Sequence, residues 1–289
     1  MITASVVLYR NPVGMVERLI GCVMRSGVGM LYVVDNAPGD VMARLCEGHE
    51  RICYIANDRN EGYGRGHNRA IRMATGAGAR YHMVLNPDIY WDADADVPGR
   101  LRDFMEAHPQ CGLSMPRITW PDGRVQPLCK LLPKPGDLFR RRFLPDNARN
   151  RSLNNRFELE TFGYDRTMEV PSLSGCFMFM RCSTLKETGL FDERFFLYAE
   201  DIDLCRRIGF IASTVFVHSV SAMHEYQRGS YKSLGLLFHH IVSAVRYFNK
   251  WGWLHDSGRE EANARCLARL DNQESAPAFR IDAHYSQIT

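Results

Sequence analysis

What this 289-residue sequence lacks narrows its identity first. Its nine cysteines include no Cys-x-x-Cys pair and no spacing suited to a structural zinc, so neither a zinc module nor a disulfide framework is expected. Reduced thiols in a cytosolic setting fit best. No apolar run reaches the roughly 18 residues of a membrane-spanning helix. The opening MITASVVLYRNP has no basic leader ahead of a long apolar stretch, so a signal peptide is not expected either. Internal repeats and low-complexity tracts are missing. The formal charge of +3 is too mild to argue for nucleic acid. That charge is uneven, because residues 117 to 156 carry ten Lys or Arg against three Asp, namely Asp122, Asp137 and Asp146.

What is present is a sequence able to build a sizeable core, 45% of it hydrophobic. SVVLY (5–9), LYVVD (31–35), RICYIA (51–56) and YHMVLN (81–86) read as strands. Between them, MVERLIGCVMRS, VMARLCE and HNRAIRMATG read as helices, the first with Met15, Leu19, Cys22 and Val23 on one side. This alternation predicts an α/β fold with ligands at the carboxyl ends of parallel strands. Residues 120 to 168, rich in Pro, Arg and Asn, predict a long irregular excursion. SLSGCFMFMR then reads as a strand, STLKETG as a helix capped by Ser183, AEDIDLCRRIG as a helix and IASTVFVHSVSAMH as a strand. A helix near 231 to 254 precedes a polar tail expected to be disordered.

Several motifs sit at the predicted ligand edge. NEGYGRGHN, residues 60 to 68, follows a strand and opens a helix, where free backbone N–H groups favour anions such as phosphate. Its glycines, Gly62, Gly64 and Gly66, leave His67 where a dinucleotide fingerprint needs Gly or Ala. A turn using glycine only for backbone geometry remains an open reading. Asp35 ends the second strand where it could meet a ribose or base, and Asp also ends strands simply by making turns. LNPDIYW sets Asp88 beside Asn86; one carboxylate there can hold Mg2+ or Mn2+ together with diphosphate oxygens, with an Asn-Pro-Asp turn as the alternative.

ERFFLYAEDIDLCRR places Glu200, Asp201 and Asp203 in the first turn of a helix, where the dipole favours negative charge. Asp203 precedes Arg206 and Arg207 by three and four residues and is therefore offered ion-pair partners. Asp201 lies about 200° around the helix, towards Cys205, without a cationic neighbour one turn on. A carboxylate so placed behind FFLYA is a candidate general base. His224, just past the last strand, reads as a metal ligand, a phosphate contact or a satisfied structural histidine. In the final helix Leu234, Leu237, Phe238, Ile241, Val245 and Phe248 recur at helical spacing, with Lys232, His239, Arg246 and Lys250 elsewhere around it. That pattern fits an anionic membrane surface or the protein's own core equally well.

Taken in order, SVVLYRNP, VVDNAP, NEGYGRGHN, LNPD, SGCFMFMR and FDERFFLYAEDIDLCRR resemble a bacterial family 2 glycosyltransferase of the GT-A fold, most nearly its rhamnosyltransferase-like branch. The resemblance implies a Rossmann-like, mostly parallel central sheet flanked by helices, with a C-terminal helical extension. Residues 1–119 would form the nucleotide-sugar-binding half, 120–225 the acceptor-binding and catalytic half of the same domain, and 226–289 an amphipathic helix and polar tail. Tyr9, Arg10 and Asp35 would surround the base and ribose, and Asn60, Gly62 and Asn68 would shape the nucleotide pocket. Asn86 replaces the first acid of the family's DxD motif, leaving Asp88 as metal ligand with His224 to complete the coordination of Mg2+ or Mn2+. Asp201 would be the base, with Gly175 and Glu200 beside the acceptor.

The implied reaction is inverting transfer of a sugar, with dTDP-L-rhamnose the favoured donor, to a glycan or lipid-linked hydroxyl in bacterial cell-surface polysaccharide synthesis. The implied location is cytoplasmic, with peripheral contact on the inner face of the cytoplasmic membrane and no nucleic-acid partner. Arg140, Arg141 and Arg142 would clamp an anionic acceptor or touch that membrane, or simply form a solvated face. Two competing readings are a nicotinamide-dependent dehydrogenase, resting on the glycine loop, and a non-catalytic nucleotide-sugar-binding subunit. His67 and the loop's place after the third strand count against the first, and retention of Asp88 and Asp201 against the second.

Overall fold

Short β-branched runs bounded by turn residues become strands because their side chains fit a buried, pleated surface. The computed structural model describes residues 1–145, 147–225 and 234–273. It begins with the alternation β1 (Ile2–Leu8), α1 (Val13–Arg25), β2 (Met30–Asp35), α2 (Asp40–Cys46), β3 (Ile52–Ala56), α3 (Tyr63–Gly76) and β4 (Tyr81–Leu85). β1 lies parallel between β2 and β4, and β2 parallel to β3. Leu8 is opposite Asp35, and Asp35 opposite Ala56, so three carboxyl ends finish side by side.

The second part runs β5 (Ile89–Tyr90), α4 (Val97–Ala107), β6 (Cys111–Thr119), β7 (Cys129–Lys130), α5 (Pro135–Phe143), α6 (Ala148–Phe157), β8 (Met168–Glu169), β9 (Ser172–Leu173), β10 (Phe177–Arg181), α7 (Cys182–Thr188), α8 (Glu200–Ile208), β11 (Ser213–His224), α9 (Leu234–Trp251) and α10 (Ser257–Gln273). The sheet order is β3-β2-β1-β4-β10-β6-β11-β5, with β8 added beside β11. β10 runs antiparallel to both β4 and β6, while β11 is parallel to β6. Phe177, Met178, Phe179 and Met180 of β10 are all fully buried, as a strand covered on both faces requires. All nine cysteines are free.

A buried polar chain fixes α3 to the sheet. Ser5 Oγ lies 2.8 Å from both His67 Nδ1 and His82 Nε2, and Thr3 Oγ1 lies 2.8 Å from His82 Nδ1. If Thr3 donates to the Tyr81 carbonyl, one consistent assignment of donors runs through both neutral imidazoles. Burial pushes both histidines below their ordinary range, His82 to about 3, which keeps them uncharged.

Three expectations need correction. Ser183 does not cap α7; Arg181 holds that position and Ser183 lies inside the helix. The excursion contains α5 and α6, whose ends are held by Asp137, accepting from Lys134 N, and by Asn147, accepting from Asn150 N. Their periodicity is faint because Phe157 is the one buried residue of α6. The polar tail is helical as far as residue 273, since α10 buries Arg259, Cys266 and Leu270. Residues 274–289 and Lys232 lie outside the described residues. No described helix is long and apolar enough to cross a membrane.

Candidate active site

The carboxyl ends of β1, β2 and β3 make one corner of the site. Tyr9 follows β1 with its ring half-exposed, and Arg10, in the left-handed region at φ 56°, sets its guanidinium 5.3 Å from the Tyr9 ring centre. Asp35 is buried; it accepts from Ala37 N at 2.9 Å and from Tyr54 Oη at 3.0 Å. Burial, and then that contact with Asp35, pushes the Tyr54 phenol up to about 12.

Amides order the loop after β3. Asn57 Nδ2 donates to Asn36 Oδ1 at 2.8 Å, Asn36 Nδ2 donates to Gly62 O at 3.2 Å, and Asn60 Oδ1 accepts from Gly62 N at 3.0 Å. Gly62 sits at φ 86°, and a Cβ there would lie 2.2 Å from Phe196 O, so glycine is required. Asn68 bonds the backbone of Phe191 in both directions and also Glu193. Asn60, Gly62 and Asn68 therefore shape the loops, and Tyr9, Arg10, Asp58 and Arg59 are among the exposed groups at this corner.

The second corner is built by pairing β5 with β11, which sets His224 opposite Ile89 and so beside Asp88. His224 Nε2 lies 3.1 Å from Asp88 Oδ1, a buried oxygen that receives no hydrogen bond. Gln126 fixes the imidazole: its Nε2 donates to Thr119 O and His224 O, which leaves its Oε1 to accept from His224 Nδ1 at 3.0 Å. With Nδ1 carrying a hydrogen, Nε2 faces the carboxylate, as an acceptor when the ring is neutral and as a proton donor when it is charged. Two lone-pair atoms so close repel unless positive charge lies between them. Neighbouring ligands of an octahedral cation with bonds of about 2.1 Å are about 3.0 Å apart, so the pair fits a divalent ion. Among the described residues no three His, Cys, Asp or Glu side chains converge as a metal cage. Such a cation would draw its remaining ligands from diphosphate and water, as Mg2+ and Mn2+ commonly do.

The third corner is the start of α8. Asp201, half-buried, accepts from Gly175 N through Oδ2 at 2.9 Å and from Ile202 N through Oδ1 at 2.8 Å. Among the described residues no Lys or Arg pairs with it. Asp203, by contrast, is fully buried and receives Arg207 Nε at 2.8 Å, Lys250 Nζ at 2.6 Å and Trp251 Nε1 at 2.9 Å. Glu200 is buried too; desolvation, then the Asp201 charge, pushes its carboxyl well above the usual range. Gly175 and Cys176 link this corner to the second, because Cys176 O accepts from Asn86 N at 2.9 Å.

The chain entering α8 is strained and clamped. Tyr198 and Ala199 both adopt left-handed backbone, at φ 72° and 65°. α9 grips the segment before them: Ser243 Oγ donates to Leu197 O at 2.7 Å, Arg246 donates to Arg194 O, and Lys250 pairs with Asp192 at 2.8 Å. The apolar stripe of α9 changes burial along its length. Phe248 is buried, while Phe238, Ile241 and Val245 are exposed.

A family model described as glycosyl transferase family 2 matches residues 30–189. The chain belongs to that family. It is 31% identical to the N-acetylglucosaminyl-diphospho-decaprenol L-rhamnosyltransferase of Mycobacterium tuberculosis, over 76% of each chain. It is 28% identical to the low-salt glycan biosynthesis hexosyltransferase Agl10 of Haloferax volcanii, over 63% of this chain and 54% of that protein. In fold it is similar to GalNAc-T7, whose crystal structure holds UDP, GalNAc and Mn2+, with a TM-score of 0.58 at 12% identity. That match covers 86% of this chain and 48% of the GalNAc-T7 chain. S. aureus TarS, residues 1–349, aligns with a TM-score of 0.56 at 15% identity, over 93% of this chain and 71% of that one. This chain is thus a family 2 glycosyltransferase of the GT-A fold, and the dehydrogenase reading is not favoured.

Sequence reasoning missed three residues of this glycosyltransferase's site. Asn36 and Asn57, in VVDNAP and ANDRNEG, order the glycine loop; their place beside motif residues was the available signal. Gln126 sits in the irregular excursion and orients His224, a role that strand pairing creates and no local pattern announces.

Proposed function

We propose that this glycosyltransferase moves L-rhamnose, with inversion, from dTDP-L-rhamnose to a hydroxyl of a lipid-diphosphate-linked glycan, with Asp201 as general base. The observation that carries the reading is the Asp201 carboxylate, held by two backbone N–H groups and paired with no cation among the described residues. Donor and acceptor classes rest on the mycobacterial relative's name. Asp201 takes the acceptor's proton while the hydroxyl oxygen bonds to the anomeric carbon. The bond from that carbon to the diphosphate oxygen breaks on the opposite face, and the diphosphate leaves with its electron pair. A divalent cation held by Asp88 and His224 would offset the charge on the leaving diphosphate. Tyr9, Arg10 and Asp35 would hold the base and ribose, while Gly175 and the neutral Glu200 would border the acceptor.

The division into a donor half (1–119), an acceptor and catalytic half (120–225) and a C-terminal extension (226–289) goes with this reading. So does contact with the inner face of the cytoplasmic membrane, to which the exposed Phe238, Ile241 and Val245 of α9 would offer an apolar strip. Arg140 is less free for an anionic acceptor than its sequence position implies, since it bonds Asp137 and Asn154.

Asp201→Asn is expected to lower the transfer rate by about 10² to 10⁴ while dTDP with Mn2+ still raises the melting temperature. Transfer at the parental rate by the folded variant would end the assignment.

A further inference from the structure

Tyr63 is the first residue of α3, and besides its own helix it touches two other segments of the site. Its backbone N donates to Phe196 O at 2.9 Å, in the strained approach to α8. Its ring packs edge-on against His67, with centroids 4.4 Å apart. Its hydroxyl donates to Gly175 O at 2.6 Å, and the N–H of the same glycine donates to Asp201 Oδ2 at 2.9 Å. Gly175 is thus gripped from both sides. A Cβ on it would lie 3.3 Å from Asp201 Cβ and 3.6 Å from Tyr63 Cε1, which leaves little room for another conformation. Burial pushes the phenol well up, and the nearby Glu200, Cys176, Asp201 and Asp88 push the same way, so it stays a neutral donor.

We propose that Tyr63 is a positioning residue, which by holding the Gly175 carbonyl fixes the backbone conformation of that glycine, keeps Asp201 in line for proton transfer and ties that alignment to the ordered glycine loop of the donor half. The inference rests on Asp201 being the base. Its physical content is directional. A carboxylate on one flexible bond can rotate, and a misplacement of about 1 Å can cost about a hundredfold in rate. The Gly175 N–H, together with Ile202 N, limits that rotation only while Gly175 keeps its backbone conformation, and the Tyr63 hydroxyl helps to fix that conformation by holding the following peptide through its carbonyl. Phenylalanine would keep the ring packing on His67 and the backbone bond to Phe196, and would remove that one contact.

The test uses the full chain with 15N-glycine labelling, transfer assays with dTDP-L-rhamnose, and the variants Tyr63→Phe, Asp201→Asn and their combination. In Y63F, as in D201N, the Gly175 amide proton is expected to exchange faster and shift upfield. The kcat of Y63F is expected to fall about tenfold to a hundredfold, with the donor KM within about threefold of the parent. Added to D201N, the Phe change is expected to cost less than about twofold, because the group it positions is already disabled. An unmoved Gly175 amide, an unchanged kcat, or an equal loss in the D201N background would each overturn the positioning role while leaving the base intact. Full activity in D201N alone would instead remove the base reading and with it the premise. Loss of fold in Y63F, read by its amide spectrum, would overturn the role by making the hydroxyl structural.

Discussion

Beneath α3 the chain buries Ser5, His67 and His82 as an uncharged hydrogen-bonded run, whereas beneath α9 it buries Asp203 between Arg207, Lys250 and Trp251. Both regions stand behind the same site, one under the glycine loop and the other under the approach to Asp201. The neutral run has weaker contacts, and losing one strands uncharged ring nitrogens, a smaller penalty than stranding an ion. The ionic cluster gains strong local attraction, yet each ion has been taken out of water, so removing one partner leaves the others exposed to the full desolvation cost. α8 shows the distinction within one helix: Asp203 is fully committed to cations and Asp201 is not.

Three measurements would break or sharpen this contrast. The largest effect belongs to Asp203→Ala, which removes the buried carboxylate shared by Arg207 and Lys250, leaving Lys250 with Asp192 and Arg207 with backbone carbonyls, and is expected to cost about 3 kcal/mol in urea unfolding. A loss below about 1 kcal/mol would put the cluster on a par with a surface pair and end the comparison. Ser5→Ala comes next, at about 1–3 kcal/mol, since it leaves ring nitrogens of His67 and His82 without their partner.

A third measurement separates the two regions by acidity. His82 is held at about 3 by burial, against an unfolded value of 6.5, so the unfolded chain binds a proton that the folded one refuses. Stability conferred by the neutral run is therefore full above pH 6.5 or so and declines as the pH falls towards about 3, by up to about 1.4 kcal/mol per unit. Asp192 is held below the usual carboxylate range, chiefly by its hydrogen bond from Arg194 and then by Lys250. Its contribution is present above about pH 4 and fades below that as the carboxylate is protonated. Asp192→Asn is expected to flatten the stability curve below about pH 4 and leave the decline between pH 7 and 5 as it was. A change confined to the upper window would reverse the assignment.

The first, alternating part of the chain was legible because its chemistry is local. β2 and β4 fall within a residue of their sequence-predicted limits, since β-branched runs and the turns after them act over a few residues. The start of α8 was legible for the same reason, its acids and arginines lying within one turn of each other. Tyr63 was not, because its hydroxyl meets a residue 112 positions away and the predicted helix began at His67. α10 read as a tail because its anchor is a buried ion pair, Arg206 with Asp256, in place of an apolar stripe. The final helix showed one apolar stripe, and nothing in its spacing told that Phe248 packs with Phe195 and Ala199 while Phe238, Ile241 and Val245 stay exposed.

Tyr198 and Ala199 hold a left-handed backbone that neither side chain favours, and three contacts from α9 keep the segment before them in place. Loosen that helix and the segment can relax by a peptide rotation that the sheet would hardly register. Turnover would then be silenced by gentle warming or dilute denaturant while circular dichroism still reports an intact molecule, making activity the finer gauge of how α9 is seated.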